Sequence, residues 1–322
     1  MNLCRWSLTA LVCSCIPIAC KSPLERVTQE RERRAATEKG TADGGMTVLM
    51  PFHPPSNKTL TEHSVTRRTE VHNLQQQPGQ SLVEAVEATM LSRYERADGG
   101  GWILSQQTRD LKVTRDGNPV VNKLTALVQS FPLKIRVSDD GAFVRLANPD
   151  DAQRAVQQVF RSPAEAESIS QFFTPLQIEE RARKEWDAKY AGMFNHALAT
   201  TSAFYLLDSF VTAEGSQITY LLERKVSGTA KTSFGEAVVL SIRCLTHLEA
   251  DAGQEAVQKS VPELDPSLLE PSVECSGQEI LARDPFLPVK SGVSVVATPE
   301  VKDGGIPLRV TFEKQVEAVK LE

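Results

Sequence analysis

The sequence predicts an α+β fold, mainly antiparallel β, in which two strand-rich blocks over residues 46–147 and 200–322 flank a central helical segment over 148–195. Three observations carry this expectation. Leu133, Ile135 and Val137 alternate with Lys134, Arg136 and Ser138, Asp139-Asp140-Gly141 turns, and Ala142, Val144 and Leu146 alternate again; a tight hairpin needs that pattern around an Asp-Gly turn. Ile178, Ala182, Trp186, Tyr190 and Phe194 recur every fourth residue, an apolar stripe about five turns long on one helix face. Short strands joined by hairpins pair antiparallel, which argues against a doubly wound parallel sheet. The two blocks are either two lobes or halves of one curved sheet cradling the central helices, and the sequence does not choose.

Taken in order, Thr47-Val48-Leu49-Met50 begins the body and Pro51, Pro54 and Pro55 break it. Glu62 to Asn73 carries Val65 and Val71 among Thr and Arg and reads as a polar edge strand. Leu82, Val86, Met90 and Tyr94 fit both a helix and one face of a strand. The turn Asp98-Gly99-Gly100-Gly101 and the run Trp102 to Val113 behind it favour a hairpin. Val120, Leu124, Leu127, Val128 and Phe131 fall at helical spacing. Asn148-Pro149, Ser162-Pro163-Ala164-Glu165 and Thr174-Pro175-Leu176-Gln177 each place a capping residue before proline, the last with Phe173 and Ile178 placed as a hydrophobic staple. Glu179 and Glu180 are read as complements of the helix dipole.

Strands return from Phe204. Ile218, Tyr220 and Leu222 share one face; Val238, Leu240, Ile242, Cys244 and Leu248 share another, which points Cys244 inward. Val273 to Ala282, Val289 to Ala297 and Ile306 to Leu321 complete the chain as strands. In the last, Ile306, Leu308, Val310, Phe312 and Val316 form the inward row against Arg309, Thr311, Glu313 and Lys314. Asp251 to Pro271 is polar and carries prolines, a long excursion or a short helix.

The first twenty residues give an address. Arg5 precedes the apolar residues Leu8, Ala10, Leu11, Val12, Cys13, Cys15, Ile16 and Ile18, the layout of a signal peptide. The run falls short of the ~20 apolar residues of a spanning helix. Its end, Ile16-Pro17-Ile18-Ala19-Cys20, resembles the lipobox of bacterial lipoproteins, with Pro17 where that family carries an aliphatic residue. The resemblance implies cleavage before Cys20 and acylation of its thiol. A competing frame, Val12-Cys13-Ser14-Cys15, would acylate Cys15 instead, and an ordinary secretory cut near Ala19 would leave Cys20 a spare thiol. Lys21, in place of the aspartate that signals inner-membrane retention in some species, points to the outer membrane. Residues 21–45 hold six basic and five acidic side chains and no aromatic residue, a flexible polar stalk by composition. A short solvated helix over Leu24 to Lys39 is the rival reading. As a whole the chain looks like a bacterial membrane-anchored lipoprotein, and its body is loosely similar to periplasmic lipoprotein carriers, whose half-barrel sheet wraps helices. That likeness implies the envelope as location and no activity.

Composition and motifs narrow the chemistry. The net charge of −5 becomes −5 − 1 = −6 without the leader's Arg5, and no basic face for nucleic acid is visible. Cys244 and Cys275 are the cysteines left in the body. In an oxidising compartment they are either a disulfide or two buried thiols. His53, His63, His72, His196 and His247 are scattered, with no helical metal spacing, so no metal and no cofactor is expected. Neither a phosphate-binding loop nor a Gly-x-Ser-x-Gly elbow occurs, so no catalytic residue is expected either. The sequence therefore predicts a non-enzymatic envelope lipoprotein with a binding or structural role, touching the membrane through its acylated cysteine and an envelope protein as partner. The alternative is a carrier or sensor of an apolar ligand, a lipid or lipoprotein, held between sheet and helices by Trp186, Tyr190, Phe194, Phe204 and Tyr220.

Overall fold

The computed structural model describes residues 47–72, 81–121, 123–160, 162–170, 173–200, 202–212, 217–245, 257, 261, 264, 269–270, 272–299 and 308–322. The leader with Cys15 and Cys20, the stalk, and most of the excursion before Pro271 lie outside these residues. The strands are β1 (Thr47–Leu49), β2 (Thr59–His72), β3 (Ser81–Arg96), β4 (Trp102–Arg115), β5 (Asn118–Pro119), β6 (Leu133–Val137), β7 (Phe143–Leu146), β8 (Ala197–Ala199), β9 (Ala203–Val211), β10 (Gln217–Thr232), β11 (Gly235–Leu245), β12 (Val273–Arg283), β13 (Phe286–Ala297) and β14 (Leu308–Leu321). The helices are α1 (Lys123–Ser130), α2 (Pro149–Val159), α3 (Pro163–Ser170) and α4 (Pro175–Tyr190).

A balanced α+β fold with a helical centre between two strand blocks is not what forms. Twelve strands make one sheet in the order β7-β6-β4-β3-β2-β14-β13-β12-β11-β10-β9, with β5 beside β4, and the paired strands run antiparallel. β2 and β14 join the predicted blocks, paired from Leu308 opposite His72 to Leu321 opposite Leu60 with one register shift between Ala318 and Lys320. Mid-sheet β2 is therefore no edge strand. The predicted hairpins β3–β4 and β6–β7 form, but on β7 Phe143 and Leu146 are buried and Val144 is exposed, so the expected row Ala142, Val144 and Leu146 is broken at the register shift opposite Arg136 and Val137. β1 and β8 make a separate two-stranded ribbon.

The four helices are short and do not divide the sheet. α1 packs on β4, and α2 packs on α1, α3 and α4. α4 touches both β7 and β9, which are the two edges of the sheet. A sheet of this width brings both edges to one helix only by curling, so α4 closes the open side of the curl. Its start is held by a reciprocal capping box: Thr174 Oγ1 accepts from the Gln177 N–H at 3.3 Å, and Gln177 Oε1 accepts from the Thr174 N–H at 3.4 Å. At α2 the expected cap takes another form. Asn148 Nδ2 donates to the Asp151 carboxylate at 2.7 Å, while Asn148 Oδ1 accepts from the Lys134 N–H at 2.8 Å.

Two apolar cores line the inside of the curl. The larger combines Tyr94, Trp102 and Leu104 with Ile135, Val137, the helical Val156, Ile178 and Trp186, and Val226, Leu240, Leu281 and Phe286. Strands from both predicted blocks share it. The smaller core gathers Phe210, Ile218, Tyr220, Leu222, Ile242, Val273, Val295 and Val310. Phe210 of β9 stacks on Phe312 of β14 with centroids 6.1 Å apart, so strands β9 to β14 curl onto themselves there. Cys244 on β11 and Cys275 on β12 are joined by a disulfide across adjacent strands, with Cα atoms 5.1 Å apart.

Candidate functional site

The five aromatic residues proposed as a ligand lining do not surround one space. Trp186, Tyr190 and Phe194 meet at the end of α4, with centroids 4.8 Å apart for Trp186–Tyr190 and 5.6 Å for Tyr190–Phe194. Phe52 and Phe286, which the sequence did not single out, fill what remains. Phe52 sits 4.7 Å from Phe194, and Phe286 sits 4.6 Å from Phe194 and 5.4 Å from Tyr190. Phe204 packs against this same core. Tyr220 belongs to the smaller core and donates its hydroxyl to Asp208 at 3.1 Å.

The hairpin between β6 and β7 locks the aromatic group from below. The Trp186 indole N–H donates to the Gly141 carbonyl at 3.0 Å. Gly141 has φ +87°, and a Cβ there would lie 2.4 Å from the Phe194 ring. Glycine thus serves both the turn and the ring packing above it. The predicted turn aspartates are structural: Asp139 pairs with Arg96 and accepts the Gly101 N–H at 3.1 Å, and Asp140 takes the Ser138 hydroxyl. Two shallow depressions lie elsewhere. One, of about 450 Å³, is bounded by Ser233, Phe234, Pro285, Val319, Lys320 and Leu321; the other, of about 270 Å³, by Pro51, Glu236, Arg283 and Asp284.

Between the two cores runs a belt of charge that the sequence reading missed. On strands, residues two apart share a face, so Lys314 lies with Val310, Phe312 and Val316 on the inward row of β14. Assigning it outward was an error of parity. Its neighbours agree: the charges of Lys189, Glu185, Asp208 and Glu279 all act on its ammonium. On β2 the inward row is Leu60, Glu62, Ser64, Thr66, Arg68 and Glu70, polar along nearly its whole length. Arg68 pairs with Glu70 at 3.3 Å and Glu84 at 2.6 Å.

Most of the belt is matched. Arg224 Nε donates to Glu279 Oε2 at 3.0 Å, and Arg224 Nη1 donates to the Ala188 and Lys189 carbonyls at 3.2 and 2.7 Å, capping the end of α4. Lys189 pairs with Glu185 at 2.9 Å. That pairing lowers the Glu185 carboxyl and raises the Lys189 ammonium against burial. Glu62 is 7% exposed and accepts from the Ser92 hydroxyl at 3.3 Å. Burial raises its carboxyl, with Lys189, Ser92 and Lys314 opposing. Burial also pushes up the Tyr190 hydroxyl, and the charges of Glu279 and Glu62 add to the rise. Lys314 is pushed down, first by burial and then by Lys189.

This interior is wet. The Glu185 and Lys189 side chains are 62% and 42% exposed although Lys189 senses Glu62 and Glu279 from separate strands across the curl. Ser64, Thr66, Lys314 and Val316 on the central strands are only half-buried. Among the described residues no His, Cys, Asp and Glu cluster has metal-holding geometry, and no helix is long and apolar enough to cross a membrane.

No known protein family matches the sequence, and no curated protein matches it. Among solved structures the chain is similar to one titled "Lipid-protein interactions in lipovitellin", with TM-score 0.42 and 10% identity over 83% of this chain; it spans 26% of that chain. It is also similar to DynF from the dynemicin biosynthesis pathway of Micromonospora chersina, with TM-score 0.19 and 6% identity over 87% of this chain and 89% of that one.

Proposed function

We propose that this chain is a non-enzymatic binding protein, anchored at the bacterial cell envelope through Cys20 or Cys15, that takes up an amphipathic guest inside its curled sheet. The observation that carries the reading is the half-exposed inner wall of the central strands β2 and β14, at Ser64, Thr66, Lys314 and Val316, beneath a helix that bridges both sheet edges. A closed core would cover these side chains; an interior meant for a guest leaves them accessible. The wall changes character along its length. Charges occupy the middle, and toward the disulfide the inward-facing Leu206, Val293, Leu308 and Phe312 are only partly covered. The packed aromatic residues at the end of α4 close one end of the curl.

Native mass spectrometry of the full chain, released gently from its own membranes, tests the reading. Co-purification of an amphiphile at near-stoichiometric occupancy, released on unfolding, is the expected result. A chain that carries no such molecule and fails to take one up from added lipid extract would overturn it. The same spectra read the amino terminus, where an unmodified residue would remove the anchor.

A further inference from the structure

One end of the sheet carries an apolar rim. The β10–β11 turn brings Phe234, the β12–β13 turn brings Pro285, and the end of β14 brings Val319 and Leu321 around the larger of the two depressions. The register explains why Val319 faces out. β14 steps from Ala318 opposite Glu62 to Lys320 opposite Thr61, so Val319 is a bulge residue with no counterpart on β2, and a bulge re-aims its side chain. Val319 is 63% exposed, while Phe234, Pro285 and Leu321 are half-buried. Behind the rim, Phe234 and Leu321 pack on the buried Leu60, Ala282 and Leu287, so its shape is fixed by a core.

The chain enters the sheet at this same rim. Arg283 Nε donates to the Leu49 carbonyl at 3.0 Å, and the Phe286 N–H donates to the His53 carbonyl at 2.8 Å. Residues 49–53 are thereby tied to the β12–β13 turn on both sides of Pro285. Leu49 adds a side chain that is 52% exposed, and Pro51 lines the second depression beside Arg283 and Asp284. A tether leading back from Thr47 to an acylated cysteine pulls on this end of the body and raises its effective concentration at the bilayer. Its charges do not oppose the approach. Arg283 pairs with Glu236, Lys320 pairs with Glu322, and His53 lies 4.0 Å from Asp284. The exposed Lys58 precedes Thr59, whose N–H donates to the Glu322 carbonyl, and the exposed Lys231 stands opposite Glu236. On a chain of net charge −5, this end meets anionic headgroups without repelling them.

We propose that this rim rests on the lipid bilayer, with Leu49, Phe234 and Val319 set into the headgroup layer. The inference goes beyond guest binding and rests only on the anchoring half of the reading above. Three apolar side chains are too few to hold a protein on a membrane, but beside a lipid anchor they need only orient it.

Tryptophan reporters test it in the full chain, purified with its lipid anchor and reconstituted at low copy number into vesicles of phosphatidylethanolamine and phosphatidylglycerol. Each variant is read against the unsubstituted chain, with ordinary and with brominated acyl chains. Val319→Trp should lose most of its added emission to the brominated lipid. Val121→Trp should lose none: Val121 is 93% exposed and follows β5, which pairs with Thr114 and Arg115 at the far end of β4. Phe234→Ser beside the Val319→Trp reporter should weaken the quenching while the chain still floats with the vesicles. Equal quenching at both positions, or none at either in a chain that floats, would overturn the rim and leave the anchor standing. A blue shift of Val319→Trp that grows with copies per vesicle and comes without bromine quenching would place a second copy on the rim, which also overturns it. A chain that does not float has no anchor, and both readings fall.

Discussion

Glu62 is the side chain whose surroundings suit it least. Its carboxyl is enclosed on the inner wall, has one hydroxyl donor in Ser92, and feels Lys189 and Lys314 only at longer range. Burial wins, and the folded protein holds the proton more tightly than the unfolded chain does. A carboxyl raised in this way contributes most below its ordinary value of 4.5, and that contribution is lost as the pH climbs from there through the folded value. Within that window the native state binds more protons, so stability falls by up to about 1.4 kcal/mol per pH unit. Glu62→Gln should flatten this slope and raise stability at neutral pH, as urea denaturation at a series of pH values would read. Unchanged slopes in the variant would show that Glu62 is solvated. Single residues also mark where sequence reading stopped short. The parity that placed Val310, Phe312 and Val316 inward placed Lys314 there as well, but a lysine between apolar neighbours is expected at the surface. Only a wet interior makes its inward direction sensible.

Among the elements, α4 does the work that a further strand would do at a sheet edge. β7 has four residues, and its outer backbone groups meet helix side chains: the Leu146 N–H donates to Glu179 Oε2 at 3.1 Å, and Arg183 Nη2 reaches the Val144 carbonyl at 3.5 Å. Glu179 was read as a partner of the helix dipole; its position one turn into α4 lets it cap a strand instead. Glu179→Ala should cost about 1–2 kcal/mol, the penalty of a half-buried amide left unmatched. Hydrogen exchange at the Leu146 amide should speed up, and Glu179→Gln should restore much of its protection. Exchange unaltered in the alanine variant would mean that water serves that amide equally well. Local signals wrote most of the elements legibly: the Thr174 box, the Asp-Gly turn at Gly141 and the glycine turn before Trp102 all act over a few residues. β2 was misplaced at an edge for a physical reason. Polar alternation normally reports solvent on one side of a strand, and here both sides are polar because the inner one faces the charged belt.

For the molecule as a whole, the decisive contact is the one least visible in sequence. Nothing near Thr59–His72 announces that Leu308–Leu321 will lie beside it, since strand pairing at that separation follows from collapse of the entire chain. The sequence therefore does not choose between two lobes and halves of one curved sheet, and it gives the helices between the blocks a weight that they do not have. The shared core, in which Trp102 and Trp186 meet Val226, Leu240 and Phe286, predicts joint unfolding. Tryptophan fluorescence, which reports that core, and far-ultraviolet circular dichroism, which reports all the strands, should give the same denaturation midpoint with the disulfide intact. Separated midpoints would restore two independent units. The pairing of β2 with β14 also sets a timetable for the nascent chain. Until Leu308–Leu321 has left the ribosome, β2 keeps one bare side and the curl cannot close, so the strands made before it wait as an unfinished ribbon. A helper that masks that waiting edge is worth more to this chain than to one whose strands pair as soon as they emerge.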